Sequence, residues 1–233
     1  MIQVSSMLKD ALHLFYPHLC SSCGDDVLSY DKLICNECFY HLPRTHFYRM
    51  HQNSIDKIFY GRLNIKAAHS EFYFTKGHLL QQLIHQLKYK RNKELGIYLG
   101  KLMGQSLMLS SRFKDIDFIV PIPMFKEKEI KRGYNQAEVI AIGVSESMQI
   151  PLLPHHVKRI LPTSTQTKKN RSDRWSNVKD SFSIGNQNEL YNKSILLIDD
   201  VITTGATLEA CGNQILQIPG AMLSIATLAH AVS

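Results

Sequence analysis

Residues 195–207 constrain the fold of this chain more strongly than any other part of its sequence. Four apolar residues lead into two adjacent acids, Asp199 and Asp200, and a short run rich in threonine follows, with Gly205 inside it. A buried strand that leads into such a loop, with a helix predicted to begin at Thr207, is typical of a parallel sheet covered by helices. We therefore predict an α/β fold whose functional site lies at the carboxyl end of this strand.

The rest of the C-terminal part alternates between strand and helix in the same way. Apolar runs bounded by turn residues predict strands, whereas apolar residues at helical spacing predict helices. The predicted strands cover residues 117–123, 157–161, 194–199 and 222–228, and the predicted helices cover residues 136–148 and 207–218.

The N-terminal part has a less regular pattern. A helix is expected at residues 5–16, where Pro17 ends it. Short strands are expected at residues 58–60, 66–68 and 72–74. Residues 76–109 carry apolar side chains at helical spacing, and Gly96 is a candidate break in that helix.

Four of the five cysteines form two matched pairs, Cys20 with Cys23 and Cys35 with Cys38, with eleven residues between the pairs. This spacing is typical of four thiolates that hold one Zn²⁺ in tetrahedral geometry. Disulfides and simple burial are the alternatives, but disulfides need an oxidising compartment. The start of the chain lacks the pattern of a secretory signal, so we expect a structural zinc site and a cytoplasmic protein. The fifth cysteine, Cys211, is expected to pack inside a helix.

The chain is basic, with 27 Lys and Arg against 20 Asp and Glu and a formal net charge of +7 over 233 residues. A basic surface favours partners that carry phosphate, such as nucleotides, nucleic acids or anionic lipids. The charge could equally serve only solubility. No apolar run approaches the roughly 18 residues that a membrane-spanning helix needs, so we expect no membrane insertion.

The loop that follows the two acids has the chemistry of a sugar-phosphate site. Backbone N–H groups at a helix N-terminus bind anions, and Gly205 allows a ligand to approach them closely. The threonines around Gly205 add hydroxyl donors, while Asp199 and Asp200 can accept hydrogen bonds from the vicinal hydroxyls of a sugar. The segment therefore predicts a ribose 5-phosphate subsite, and a helix that is merely capped is the alternative.

Residues 195–207 resemble the phosphoribosyl pyrophosphate (PRPP) signature of type I phosphoribosyltransferases. From the cysteine pairs to its C-terminus, the whole chain resembles the ComF family of competence-associated proteins, also called ComF/GntX. The other elements that carry the resemblance are residues 87–89, 120–123 and 131–136, followed in order by Arg159, Gln166, Arg174, Asn177 and Phe182. The resemblance implies a type I phosphoribosyltransferase-like domain with a parallel sheet at residues 49–233. It also implies a small zinc-ribbon-like module with an N-terminal helix at residues 1–48.

The resemblance also implies roles for individual residues. Asp199 and Asp200 would be the catalytic pair and would bind the ribose 2- and 3-hydroxyls. The 5-phosphate would lie on the loop formed by Thr203, Thr204, Gly205, Ala206 and Thr207. The loop after the strand at 117–120 would meet the pyrophosphate, with Arg132 as a cationic contact. Arg174 would face the phosphates from a mobile hood at residues 162–178, and Mg²⁺ would enter with PRPP.

The resemblance leaves three classes of function open. The first is a PRPP-binding protein that serves DNA uptake in natural transformation, with single-stranded DNA and other competence proteins as partners. The second is an active phosphoribosyltransferase of nucleobase or nucleotide salvage, although no residue in the sequence is an obvious reader of an acceptor base. The third is an adaptor tethered by zinc, whose larger domain has no activity.

Two basic segments, residues 76–93 and 155–174, bear on the choice among these classes. Tyr89, Tyr134 and Trp175 stand in or close to them. Cations mixed with aromatic rings are typical of proteins that bind single-stranded nucleic acid. A small phosphorylated ligand and a solvated surface are the alternative, and the family's link to DNA uptake favours single-stranded DNA.

Overall fold

The structure is a computed structural model that describes residues 18–26, 32–75, 79–160 and 181–231. Several predictions fall outside the described residues. They are the helix at 5–16, the hood at 162–178, and the side chains of Lys168, Lys169, Arg171, Arg174 and Trp175.

A four-stranded parallel sheet lies at the centre of the described part. Six strands are described: β1 (Ala67–Phe74), β2 (Phe118–Pro121), β3 (Val157–Arg159), β4 (Phe182–Ile184), β5 (Ser194–Ile202) and β6 (Met222–Ala231). The sheet has the order β1-β6-β5-β2, and every pair in it is parallel. The prediction of an α/β fold with a parallel sheet is therefore confirmed.

Seven α-helices surround this sheet in the described residues. They are α1 (Asn36–Tyr40), α2 (Ser54–Ile58), α3 (Leu79–Tyr89), α4 (Lys93–Met108), α5 (Lys126–Arg132), α6 (Gln136–Met148) and α7 (Ala206–Ile215). Helices α4 and α6 touch backbone to backbone, because a Cβ atom at Gly100 would lie 2.1 Å from the carbonyl oxygen of Ile140. No helix among the described residues has the length and apolar character needed to cross a bilayer.

Helix α6 has the predicted bounds, whereas two predicted strands differ from the prediction in their end or their partner. Strand β5 does not stop at Asp199 but continues through both acids to Ile202. The strand expected at residues 157–161 exists as β3, but it pairs antiparallel with β4 in a separate two-stranded sheet. It therefore lies outside the parallel sheet in which the alternating pattern placed it.

The prediction of a strand at residues 58–60 is wrong. Asn53 and Asp56 form a capping box, in which each side chain accepts a backbone N–H of the other residue, and α2 begins after Asn53. A capping box favours a helix at this point. Ile58, the first residue of the expected strand, is the last residue of α2. The two strands expected at 66–68 and 72–74 are parts of one strand, β1.

Polar residues in the middle of β1 hid its continuity. Glu71 is buried there, and its carboxylate accepts hydrogen bonds from Arg44 at 2.7 Å and Ser106 at 3.1 Å, while His69 lies 3.0 Å from its second oxygen. A buried charge is tolerated when it is paired and hydrogen-bonded in this way. The buried part of β1 therefore includes three consecutive polar residues, His69, Ser70 and Glu71.

The long helical pattern at 76–109 is broken, but not at Gly96. Arg91 has a φ of 56°, and Asn92 caps α4 by accepting the N–H of Leu95 at 3.0 Å, so the break lies between α3 and α4. Gly96 lies inside α4, where an added Cβ would come within 2.5 Å of a methyl carbon of Val139. This glycine serves close helix packing rather than a break.

The segment with the paired cysteines packs against α3. Cys20 and Cys38 belong to the same hydrophobic cluster as the buried face of α3, and the Gln86 side chain on α3 donates a hydrogen bond to the carbonyl of Ser21. The division into a module at residues 1–48 and a domain at residues 49–233 stays a prediction. Cys211 is fully buried in α7, as expected of a packing residue.

Candidate functional site

The carboxyl ends of β2 and β5 meet at one edge of the sheet. Pro121 is the register partner of Ile198, and the N–H of Ile122 donates to the carbonyl of Ile198 at 2.8 Å. A polar cavity of about 230 Å³ opens at this edge. Its charged lining consists of Lys88, Lys128, Arg132, Arg159, Asp199 and Asp200. The predicted acids therefore face a cavity that is also rich in cations.

Asp199 and Asp200 are successive residues of β5, so their side chains leave opposite faces of the strand. Each carboxylate accepts the N–H of the next residue: Asp199 that of Asp200 at 2.8 Å, and Asp200 that of Val201 at 2.7 Å. Asp200 is also paired with the ammonium group of Lys88 at 2.8 Å. The lysine compensates the negative charge of Asp200.

The environment of Asp199 is different. Burial and the charge of Asp200 raise the pKa of Asp199 to about 8, against the opposing effects of the Asp200 N–H, Lys88 and Arg159. The carboxyl group of Asp199 therefore gains its charge as the pH rises through about 8, well above the usual range of an aspartate. Burial likewise raises the pKa of the nearby Cys211 thiol.

The loop after β5 forms a smaller cavity of about 50 Å³ beside the first one. It is lined by Thr203, Thr204, Gly205, Ala206 and Thr207 together with Asp199. Gly205 has a φ of 75° and, lacking a side chain, cannot cap α7, while the N–H of Ala206 donates to the hydroxyl of Thr204 at 3.5 Å. The first N–H groups of α7 have no partner within the helix. A helix end of this kind attracts anions through its oriented N–H groups.

The position of Gly205 also leaves no space for a side chain. An added Cβ would lie 2.9 Å from a methyl carbon of Ile58 and 3.1 Å from the ring of Phe59. The loop thus rests on the end of α2, and its position is set by packing as well as by its own conformation.

Arg132, which the resemblance implies as a cationic contact of the pyrophosphate, lines the larger cavity. It is the last residue of α5, which Gly133 ends with a φ of 86°, and its guanidinium donates to the buried side chain of Gln136 at 2.6 Å. The structure therefore brings Arg132 together with both acids and with the loop at 203–207 around one pair of adjoining cavities. Arg174 lies outside the described residues.

Lys88, Lys128 and Arg159 line the larger cavity, although the sequence indicated no role in ligand binding there for any of them. Lys88 reaches Asp200 from the end of α3, and the guanidinium of Arg159 lies 3.8 Å from the ring centre of Phe125 and 5.2 Å from that of Phe182. Burial lowers the pKa of Arg159, and the charge of Asp199 opposes that effect. The sequence signal for Lys88 and Arg159 was their place in the two basic segments and among the residues that carry the resemblance.

Tyr134 does not belong to an exposed stacking surface. Its ring is 6% exposed, and its hydroxyl donates to the carbonyl of Leu87 at the end of α3. Burial raises the pKa of this hydroxyl to about 12. Tyr89, by contrast, is 62% exposed and stands at the end of the same helix. Of the two tyrosines near the basic segments, only Tyr89 can stack on a base.

The four paired cysteines converge on one point. Their sulfur atoms all lie within 4.8 Å of one another, and those of Cys23 and Cys35 are 3.7 Å apart. Four thiolates at about 2.3 Å from a tetrahedral metal would be separated by roughly 3.8 Å, so the donor set fits such an ion. Cys20, Cys23, Cys35 and Cys38 are therefore positioned to hold a metal ion, as the sequence predicted.

Backbone N–H groups favour the thiolate form of Cys20, whereas the pKa values of Cys23 and Cys38 are raised. The N–H groups of Cys35 and Ser22 lie 3.3 Å and 3.4 Å from the sulfur of Cys20. Burial raises the pKa of Cys20, but the N–H groups of Cys35, Cys23 and Ser22 outweigh it and lower that pKa to about 7. The thiolate is the form that binds a metal.

Several proteins of known name are similar to this chain. Competence protein F of Haemophilus influenzae is 28% identical over 204 residues, which cover 84% of this chain and 83% of that protein. DNA utilization protein YhgH of Escherichia coli is 26% identical over 89% of this chain and 88% of that protein. Competence protein ComFC of Bacillus subtilis is 30% identical over 62% of this chain and 56% of that protein. No model of a protein family matches the chain.

Solved structures with a similar fold include two enzymes that are more distant. Glutamine PRPP amidotransferase from B. subtilis has a TM-score of 0.42 and 15% identity, over 61% of this chain but only 30% of that enzyme. Adenine phosphoribosyltransferase from Thermoanaerobacter pseudethanolicus has a TM-score of 0.39 and 14% identity, over 65% of this chain and 74% of that enzyme.

Proposed function

We propose a function from the premise that this chain is a homologue of the proteins named competence protein F, competence protein ComFC and DNA utilization protein YhgH. The chain binds PRPP or another ribose 5-phosphate compound, and it does so in the service of DNA uptake. The ligand assignment rests on one observation. The acid pair Asp199 and Asp200 and the N-terminus of α7 line adjoining cavities at one edge of the sheet.

Each part of the ligand has a matching part of the site. The 5-phosphate accepts hydrogen bonds from the N–H groups of residues 205–207 and from the neighbouring threonine hydroxyls. The ribose hydroxyls donate to Asp199 and Asp200. The pyrophosphate faces Arg132 and Lys128, with Arg174 as a further contact, and Mg²⁺ enters with the pyrophosphate that it neutralises.

A transferase reaction at this site is the second candidate function. Displacement of pyrophosphate from the anomeric carbon would develop positive charge on the ribose ring. Asp200, and Asp199 when it is ionised, would stabilise that charge. The charged lining of the cavity favours this chemistry, while the acceptor is unassigned. Release of pyrophosphate from Mg-PRPP with a panel of nucleobases separates a transferase from a protein that only binds the ligand.

Zinc is the metal that we assign to the cysteine cluster. Four thiolates leave no open position for a substrate, so the ion would be structural rather than catalytic. The four ligands would join two separate turns of the chain, and the metal would thereby hold this segment against α3.

The ligand proposal predicts a specific pH dependence. Asp199 has a pKa of about 8, and a carboxylate accepts stronger hydrogen bonds than a neutral carboxyl group. Affinity for Mg-PRPP should therefore rise about tenfold between pH 7 and pH 9, as the charged fraction of Asp199 grows. Calorimetry across this range, with ribose 5-phosphate as a second ligand, measures the effect.

The variant Asp199→Asn is the control for that experiment, because it cannot ionise. Its affinity should be low and constant between pH 7 and pH 9. A wild-type protein that binds neither ligand at any pH would refute the proposed function. A wild-type affinity that is flat over the same range would refute the assignment of Asp199 alone.

Single-stranded DNA is the partner that the homologues' names and one surface favour. Lys90, Arg91 and Lys93 are exposed and follow the exposed Tyr89 in the chain, next to Lys88, which lines the cavity. Cations can neutralise phosphates there while Tyr89 stacks on a base, which contributes on the order of 1–3 kcal/mol per base. We propose that this surface is part of a track for single-stranded DNA.

This proposal predicts marked salt dependence. The slope of log affinity against log salt is about −0.7 per neutralised phosphate, so five contacts give roughly −3.5. The triple variant Lys90→Ala, Arg91→Ala and Lys93→Ala should make the slope about 2 units shallower. Titration of a labelled oligonucleotide at several salt concentrations measures it.

The matched control removes three cations elsewhere: Lys57→Ala, Lys66→Ala and Lys193→Ala. Two of these lysines immediately precede β1 and β5, at the opposite edge of the sheet. The control should keep the wild-type slope. Equal slopes in both triple variants would contradict a DNA track at the end of α3.

A further inference from the structure

Arg62 joins the end of α2 to the loop at 203–207. Its guanidinium donates to the carbonyl of Thr204 at 2.9 Å and to the carbonyl of Ile58 at 3.1 Å. The same group is paired with Glu209, to which its Nε donates at 3.1 Å. Four hydrogen bonds to three residues therefore hold one arginine beside the loop, although 142 residues separate it from Thr204.

The bond to Thr204 also shows which way this peptide of the loop faces. The C=O and N–H of a trans peptide point in opposite directions. Because the carbonyl of Thr204 faces Arg62, the N–H of Gly205 points away from Arg62, and Gly205 itself lines the small cavity.

Glu209 is the unexpected feature of this arrangement. It lies in the first turn of α7, and its backbone N–H donates to the carbonyl of Gly205 at 2.8 Å. A carboxylate in the first turn interacts favourably with the helix dipole, but it repels any anion bound at the same helix end. A phosphate site on α7 therefore needs a cation that cancels the charge of Glu209.

We propose that Arg62 is this cation, a positioning residue that keeps the N-terminus of α7 attractive to a phosphate by neutralising Glu209. The inference rests on the proposed ribose 5-phosphate site and adds a residue that does not itself touch the ligand. The loop would keep its place without the arginine, because Gly205 packs against Ile58 and Phe59. The effect of Arg62 is therefore electrostatic.

The test is a double-mutant cycle with Arg62→Gln, Glu209→Gln and the double variant. Arg62→Gln leaves an unpaired carboxylate beside the phosphate and should weaken ribose 5-phosphate and Mg-PRPP about tenfold. Glu209→Gln should bind at least as well as the wild type. The double variant should recover to within about threefold of the wild type, because neither charge remains.

A matched cycle on Lys101 and Glu146 is the control. These residues form an exposed ion pair of 2.8 Å between α4 and α6, away from the loop. Lys101→Gln, Glu146→Gln and their double variant should bind like the wild type. Thermal unfolding of every variant shows whether the fold is intact.

The outcomes separate this inference from the proposed function. Wild-type affinity in Arg62→Gln, or a double variant as weak as Arg62→Gln, would overturn the role of Arg62 while the ribose 5-phosphate site stands. A wild-type protein that binds neither ligand would overturn both. Loss of binding in Arg62→Gln with recovery in the double variant supports the inference.

Discussion

Removal of the metal is expected to unfold the segment that carries the four cysteines and to destabilise the helix packed against it. Structural zinc commonly contributes on the order of 10 kcal/mol to the folding of a small module. Cys20 and Cys38 share a hydrophobic cluster with Leu83 and Leu87 of α3, so the loss reaches beyond the cysteines themselves. Metal analysis should find about one zinc per chain. Circular dichroism should show a lower unfolding temperature after treatment with a strong chelator.

Two cysteine variants provide the matched comparison for this experiment. Cys38→Ser removes a metal ligand, whereas Cys211→Ala changes a buried cysteine outside the cluster. Only Cys38→Ser should lose zinc, and only its unfolding temperature should be insensitive to the chelator. Purified wild-type protein with less than about a tenth of an equivalent of zinc, and with Cys20 freely alkylated, would contradict a structural zinc site.

Replacement of both acids, Asp199→Asn with Asp200→Asn, is expected to lower the affinity for Mg-PRPP by two to four orders of magnitude. Each hydrogen bond to a charged group contributes roughly 1.5–3 kcal/mol, and the double variant loses two such acceptors. It also leaves the ammonium group of Lys88 without its partner at 2.8 Å. Calorimetry with Mg-PRPP at pH 8 measures the loss.

Asp117→Asn is the matched control for the acid pair. Asp117 precedes β2 at the opposite edge of the sheet, where its carboxylate is paired with Lys193 at 3.1 Å and accepts the N–H of Ser194 at 2.8 Å. That N–H and Lys193 lower the pKa of Asp117, so its replacement should cost stability without changing affinity. Equal affinity of wild type and the double variant at the acid pair would refute their assignment to the ribose.

The elements of the candidate site could be predicted because their signals are local. An apolar run marks β5, the adjacent Asp199 and Asp200 mark its polar end, and Gly205 marks the turn into α7. The matched cysteine pairs are equally local, since two short turns supply all four sulfur atoms. In each case a few neighbouring residues determine the local backbone structure and also supply the side chains of the site.

Local signals failed where polar residues or tertiary packing overruled them. His69 and Glu71 interrupt the apolar pattern of β1, and the strand continues because Arg44, Ser106 and His69 all contact the buried carboxylate of Glu71. Gly96 was a candidate helix break, but the close approach of Val139 explains it instead. The residues that contact Glu71 and Gly96 cannot be recognised without knowing which helices and strands pack together.

The sequence by itself determined the parallel α/β class, the acid pair with its loop, and the four cysteines that meet at one point. Only the tertiary structure decided which cations serve that site, because Lys88 meets Asp200 and Arg62 meets Glu209 across more than a hundred residues of chain. Such pairs depend on how the strands are ordered and where each helix returns. Periodicity and spacing describe residues that are neighbours along the chain. The partner of a buried charge, in contrast, comes from another element, which only folding brings close to it.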